Sequence, residues 1–199
     1  MNIEAIKNHV IEYFSKNNPP ENIYHNIDHV KEVVEMVKII AAFENVSIKE
    51  LELLTAAAWL HDIGHIKTWA NHEELSANYA KNLLLACECS EEEIKVVLGC
   101  IRATKIPHKP KNLLEEIICD ADISHIGSTE FFKKSDLLKL ELAIREKKTF
   151  TDSDWINRNI QFIIETKIYT NYGTKNWEQQ KQINLAKLRE QYSLLSKQN

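Results

Sequence analysis

Residues Leu51 to Leu60, LELLTAAAWL, are too apolar for a solvent-facing helix, and the run ends directly on His61-Asp62. A helix of that composition must be enclosed by other elements. Burying an imidazole or a carboxylate without a partner costs on the order of several kcal/mol. Something must compensate the pair, and a metal ion is the leading candidate. Neighbouring residues on a helix point about 100° apart. His61 and Asp62 therefore reach one ion only if it sits beside the helix end. Gly64 supplies a plausible stop there, as the residue just past the helix.

The rest of the chain favours helices. Four Gly and four Pro in 199 residues leave few turn signals, and strand-like alternation is scarce, which predicts an all-α architecture. Helices are expected at about 2–17, 26–43, 47–64, 71–87 and 90–104. The third and fifth open on the capping boxes SIKE and SEEE. Pro107 and Pro110 break the chain. Further helices are expected at 112–123, 128–148, 151–172 and 174–197, the last strongly charged and packed on the outside. The pattern reads as one domain over 1–199. Its core spans about 20–127, and the N-terminal helix and the helices of 128–199 cover its sides.

Net charge is −4, which disfavours a nucleic-acid polymer as partner. It leaves room for a small anionic substrate, because local charge can oppose the total. No apolar run approaches the roughly 20 residues that span a bilayer. The N-terminus is amphipathic and carries acids, unlike a signal peptide. A cytoplasmic location without membrane contact is expected. Cys87, Cys89, Cys100 and Cys119 form no C-x-x-C pair and read as reduced, mostly buried thiols.

Other segments offer ligands to join His61 and Asp62. In YHNIDHV (24–30), His29 falls at the edge of the apolar stripe of its helix, beside Val33 and Ile40, whereas His25 lies further off. Geometry thus favours His29 as the inward side chain. In ICDADIS (118–124), Asp120 and Asp122 flank opposite edges of the stripe, and the helical wheel does not choose between them.

These pieces, YHNIDHV, HDIGH (61–65), HEELSA (72–77) and CDADISHIG (119–127), resemble in order and spacing the HD-domain superfamily of metal-dependent phosphohydrolases. The stretch TKIPHKPKNLLEEIICDADISHIG (104–127) and the TKIYTNYG region (166–173) are also similar to a bacterial subgroup of small HD hydrolases. The resemblance implies an HD-type helical bundle with extra flanking and C-terminal helices. It implies metal ligation by His29, His61, Asp62 and Asp122, with Asp120 orienting a ligand imidazole. One departure is that the further His many members carry on the fifth helix is absent. His108 comes late, in a Pro-flanked loop. His72, with His65 and His25, is the candidate for a second metal or for substrate.

Two imidazoles and two carboxylates suit Mn, Fe, Co, Ni, Mg or Zn. Such an ion polarises a phosphoryl oxygen and acidifies bound water, and Asp62 is a candidate acceptor for that water's proton. The expected substrate is a small phosphomonoester or phosphodiester, with nucleotides in view. Two carboxylates cancel one divalent ion, so extra cations must attract the phosphate. Lys67 and Lys105 are the candidates, and Arg102 reads as a surface charge. Glu73 and Glu74 read as first-turn acids, and His9 and His125 as structural. The alternatives are di-iron oxygenase or other non-phosphate chemistry on the same scaffold, and a nucleotide-binding regulatory module. Exposed apolar residues on the late helices would suit a homodimer.

Overall fold

A computed structural model describes residues 1–196 of the chain. All regular structure among the described residues is helical. The helices are α1 (Ile3–Asn17), α2 (Ile27–Phe43), α3 (Ile48–Leu60), α4 (His72–Ala86), α5 (Glu91–Ala103), α6 (Leu113–Asp122), α7 (Phe131–Glu146), α8 (Asp152–Glu165) and α9 (Asn171–Ser196). Short 3-10 turns follow α3 (Ile63–Ile66) and α6 (Ser124–Gly127).

Helix α3 is the axis of the main bundle. Every residue from Leu53 to Leu60 is buried, and α1, α2, α5 and α6 pack around it. Each aliphatic side chain withdrawn from water there contributes about 1.5–3 kcal/mol. That collective term holds a helix which could not exist alone in solution. Ser47 caps its start through a reciprocal bond with Glu50, as the SIKE signature predicts. A second, smaller core of Ile123, Ile126, Phe131, Ile163 and Leu188 lies where α8 and α9 pack against each other and α9 meets the 3-10 turn after α6. No helix among the described residues is long and apolar enough to cross a membrane.

Several boundaries differ from the sequence expectation. Helix α3 stops at Leu60, not Gly64. Gly64 is not a left-handed cap, since no glycine has positive φ. It is needed for space: a Cβ there would lie 2.2 Å from the His72 carbonyl oxygen. The helix expected to reach Tyr172 stops at Glu165. Lys181, buried on α9, donates to the Thr166 carbonyl, and Asp120 takes the backbone N–H groups of Tyr169 and Thr170. These bonds draw the chain out of the helix. The last helix opens at Asn171 rather than 174, and its expected end at 197 lies outside the described residues. It is more than an outer cover, because Trp177, Asn184, Leu185 and Leu188 are buried. No cysteine is disulfide-bonded; Cys100 and Cys119 are buried, Cys89 is half-buried and Cys87 exposed.

Candidate metal centre

Helices α2 and α6 converge on the end of α3. The helix stops as soon as its apolar run ends, and Asp62 leaves it with φ −107° and ψ 6°. Asn26 caps α2 by accepting from the N–H groups of Asp28 and His29. That cap fixes the turn carrying His25 and His29. Helix α6 ends on Asp122.

The resulting distances are short. His29 Nε2 lies 3.1 Å from Asp122 Oδ1 and 3.4 Å from Asp62 Oδ2. His61 Nε2 lies 3.4 Å from Asp62 Oδ2 and 3.5 Å from Asp122 Oδ1. Atoms bound at about 2.1 Å to one ion lie roughly 3.0–3.4 Å apart at octahedral or tetrahedral angles. The spacing therefore fits a shared cation. So does the hydrogen bonding: His61 Nδ1–H donates to the Ala58 carbonyl at 2.7 Å, which turns Nε2 inward. His61 Nε2 and Asp62 Oδ2 are then buried without a hydrogen-bond partner. Orphaned buried polar atoms are costly, and a divalent ion would satisfy both.

The other oxygen of Asp62 faces a second pair. Oδ1 is 3.7 Å from His65 Nε2 and 3.7 Å from His72 Nε2. His72 Nδ1–H donates to the Trp69 carbonyl, and neither ring nitrogen of buried His65 has a partner. The ligand atoms of Asp62, His65 and His72 fall within 4.8 Å of one another, as do those of His29, His61 and Asp62. Gly64 makes this second group possible: its N–H donates to Ser76 on α4, and its missing side chain lets the 3-10 turn rest against His72.

Electrostatics follow from enclosure. Burial works to lower the His61 pKa, but the carboxylates of Asp62 and Asp122 outweigh it and raise it to about 9. Asp122 is held well below the carboxylate range: His29 and His61 overcome its burial. Asp62 is lowered likewise, with burial opposed by His61, His25 and His29. His65 is pushed well below its ordinary value by burial, then by His25 and His72.

A cavity of about 520 Å³ opens on this centre, lined by Asp62, Asp122, His25, His72, Lys105 and several aromatic residues. Helices α7 and α8 form its far wall with Leu138, Leu142, Trp155, Arg158 and Phe162. The flanking helices thus supply about a third of the residues that line the pocket.

Several side chains fall elsewhere than expected. Lys67 is exposed and does not line the cavity; the 3-10 turn carries the chain outward before it. Lys105 does line it, held by Asn71 Oδ1 at 3.1 Å. Asp120 orients no imidazole. It is fully buried and accepts from Tyr169 N–H, Thr170 N–H and the Thr170 hydroxyl, so it anchors the start of α9. His125 is not merely structural: it lines the cavity beside Tyr24, whose hydroxyl lies 3.4 Å from His125 Nδ1. His9 sits apart, against Tyr79 and Tyr13, and Arg102 pairs with Glu74 at the surface. Glu74 is a first-turn acid of α4, as expected, but Glu73 is buried and lines the cavity. His108 does not line the cavity.

Sequence reasoning missed Glu141, Arg145 and Arg158. Glu141 on α7 is 0% exposed and accepts from the N–H groups of Tyr24 and His25 and from His25 Nδ1–H at 2.6 Å. His25, further from the apolar stripe, is thereby locked against the centre, with its ring stacked on His65 at 4.0 Å. Arg145 donates to Asn22 and to the His65 carbonyl. The pair Glu141 and Arg145, four residues apart, carries the signal of an exposed ion pair, so nothing in the sequence distinguished it.

The geometry defines an all-helical protein with a nested His/Asp centre on the floor of a cavity. The HD domain family model matches residues 26–127, the segment that contains these His and Asp residues, and the chain belongs to that family. Among solved structures it is similar to a predicted HD superfamily hydrolase from an uncultured Thermotogales bacterium, at 26% identity and a TM-score of 0.54, over 81% of this chain and 87% of the other. No curated protein matches.

Proposed function

We propose that the protein is a metal-dependent phosphohydrolase acting on a small phosphomonoester or phosphodiester, with nucleotides the favoured class. The observation that carries the reading is the placement of His29, His61, Asp62 and Asp122 around one point at the foot of a cavity that also holds Lys105 and Arg158. Family membership and the likeness to a predicted hydrolase support it. A bound divalent ion would polarise the phosphoryl group and generate hydroxide near neutral pH.

The chain's own residues do the rest. Asp62 accepts the proton of the attacking water, and Asp122 stays ionised beside it. His25, held at Nδ1 by Glu141, presents its other nitrogen towards the leaving oxygen as proton donor. Lys105 and Arg158 neutralise the phosphate oxygens that the two carboxylates would otherwise repel. Trp69, Trp155 and Phe162 offer flat apolar walls for a base.

The test is purified protein loaded with Mn, Co, Ni or Mg against panels of phosphomonoesters, phosphodiesters and nucleotides. Turnover that is lost with metal content in His61→Ala supports the reading; no turnover of any ester in fully loaded protein overturns it. The second face of Asp62, towards His65 and His72, keeps a di-iron oxygenase as the alternative. Two irons per chain with a visible absorption band would favour it.

A further inference from the structure

Between Glu93 and Glu115 the chain carries no acid and five cations: Lys95, Arg102, Lys105, Lys109 and Lys111. In a protein of net charge −4 this is a local reversal of sign. The fold gathers all five around one open groove of about 630 Å³, between α5 and the segment 105–111. Lys95 and Arg102 are seven residues apart on α5 and share a face. Gly99, between them, leaves the groove floor open. Glu115 is the acid that lines the groove, and it is buried with its oxygens turned to Lys111 N–H and Asn112.

Only Arg102 is neutralised, by Glu74. Among the described residues no carboxylate lies within 4.0 Å of the amines of Lys95, Lys105, Lys109 or Lys111. The partial negative charge at the end of α5, about half an elementary charge, accounts for Arg102 and not for four further lysines. Uncompensated like charges repel one another, so the cluster costs stability unless an anion completes it. Lys105 and Ile106 line both this groove and the cavity above Asp62, so the two spaces adjoin at these residues.

Resting on the phosphohydrolase reading, we propose that the groove is a second anion site. It seats the additional phosphates of a polyphosphorylated small molecule whose scissile phosphate lies at the Asp62 centre. Over the ~10 Å that α5 rises from Lys95 to Arg102, the groove takes two or three phosphates and not a long strand.

The test uses full-length, metal-loaded protein and the triple variant Lys95→Gln/Lys109→Gln/Lys111→Gln. All three lysines are exposed, and none belongs to the catalytic machinery. The probe is tripolyphosphate with magnesium in large excess, followed by calorimetry and by its inhibition of p-nitrophenyl phosphate hydrolysis. Each exposed charge contact is worth up to about a factor of five, so the triple variant should bind and be inhibited about tenfold or more weakly. Its kcat and KM for p-nitrophenyl phosphate alone should stay as in the parent. Equal tripolyphosphate affinity in parent and variant overturns the groove. So does an affinity for single-stranded oligonucleotides that exceeds that for tripolyphosphate and grows with length. Groove-dependent binding without turnover of any ester sinks the hydrolase reading and leaves the anion site standing. Turnover with no groove dependence does the reverse.

Discussion

Metal binding should expel a proton from His61. In the metal-free protein the neighbouring carboxylates of Asp62 and Asp122 outweigh burial and raise this imidazole to about 9, so at about pH 7 it is charged. A metal takes only the neutral ring. One proton must therefore leave for each ion that enters, and apparent affinity should rise about tenfold per pH unit up to about 9. At about pH 7 it should sit about 100-fold, or about 2.7 kcal/mol, below its plateau. The stability of the metal-free protein should move the other way. Its folded pKa lies above the unfolded value of 6.5, so the contribution is complete below 6.5 and is lost as pH rises through about 9. Titration of Mn²⁺ between about pH 6.5 and 8, in buffers of different ionisation enthalpy, measures both affinity and protons released. Affinity that is flat over this range, with heats independent of buffer, would refute the reasoning.

Other substitutions separate the roles of neighbouring residues. Asp122→Asn should lose most bound metal, read by elemental analysis, and should also lower the melting temperature of the metal-free protein near neutral pH, because His29 and His61 lose a partner carboxylate. Asp120→Ala strands the buried Thr170 N–H and hydroxyl and the half-buried Tyr169 N–H, and should cost about 3 kcal/mol in denaturant unfolding while metal stoichiometry is kept. Gly64→Ala places a methyl 2.2 Å from a backbone oxygen; a loss of about 1–3 kcal/mol is expected, with weaker metal binding on the His72 side of Asp62. His25→Gln should lower kcat by about 10²–10⁴ without removing metal, and Glu141→Gln should follow it in direction, both checked by steady-state kinetics at fixed metal content.

The contrast between Asp120 and Asp122 shows where sequence stops being informative. Both acids sit on one short helix, at opposite edges of the same apolar stripe, and periodicity cannot rank them. Resemblance to the HD family pointed to Asp122, and the structure brings that carboxylate next to His29 and His61. The fate of Asp120 depended on a partner about fifty residues away, the Tyr169–Thr170 backbone, which no local pattern announces. Helices with strong caps and periodic apolar faces were legible because their signals are local: Asn26, Ser47 and Ser90 each cap a helix from within four residues. Glu141 was not, because its three donors come from Tyr24 and His25, more than a hundred residues earlier.

The same distinction explains why the end of α3 matters more than its composition suggested. Had the helix run on to Gly64, Asp62 would have stayed on a helical face of its own, about 100° from His61. The break after Leu60 frees the carboxylate to stand between two groups, with Oδ2 towards His29 and His61 and Oδ1 towards His65 and His72. That position rests on the α4 contact which only a glycine at 64 permits. The apolar run Leu53–Leu60 explains why His61 and Asp62 are buried, and the short turn after it explains why one aspartate can serve both of its sides.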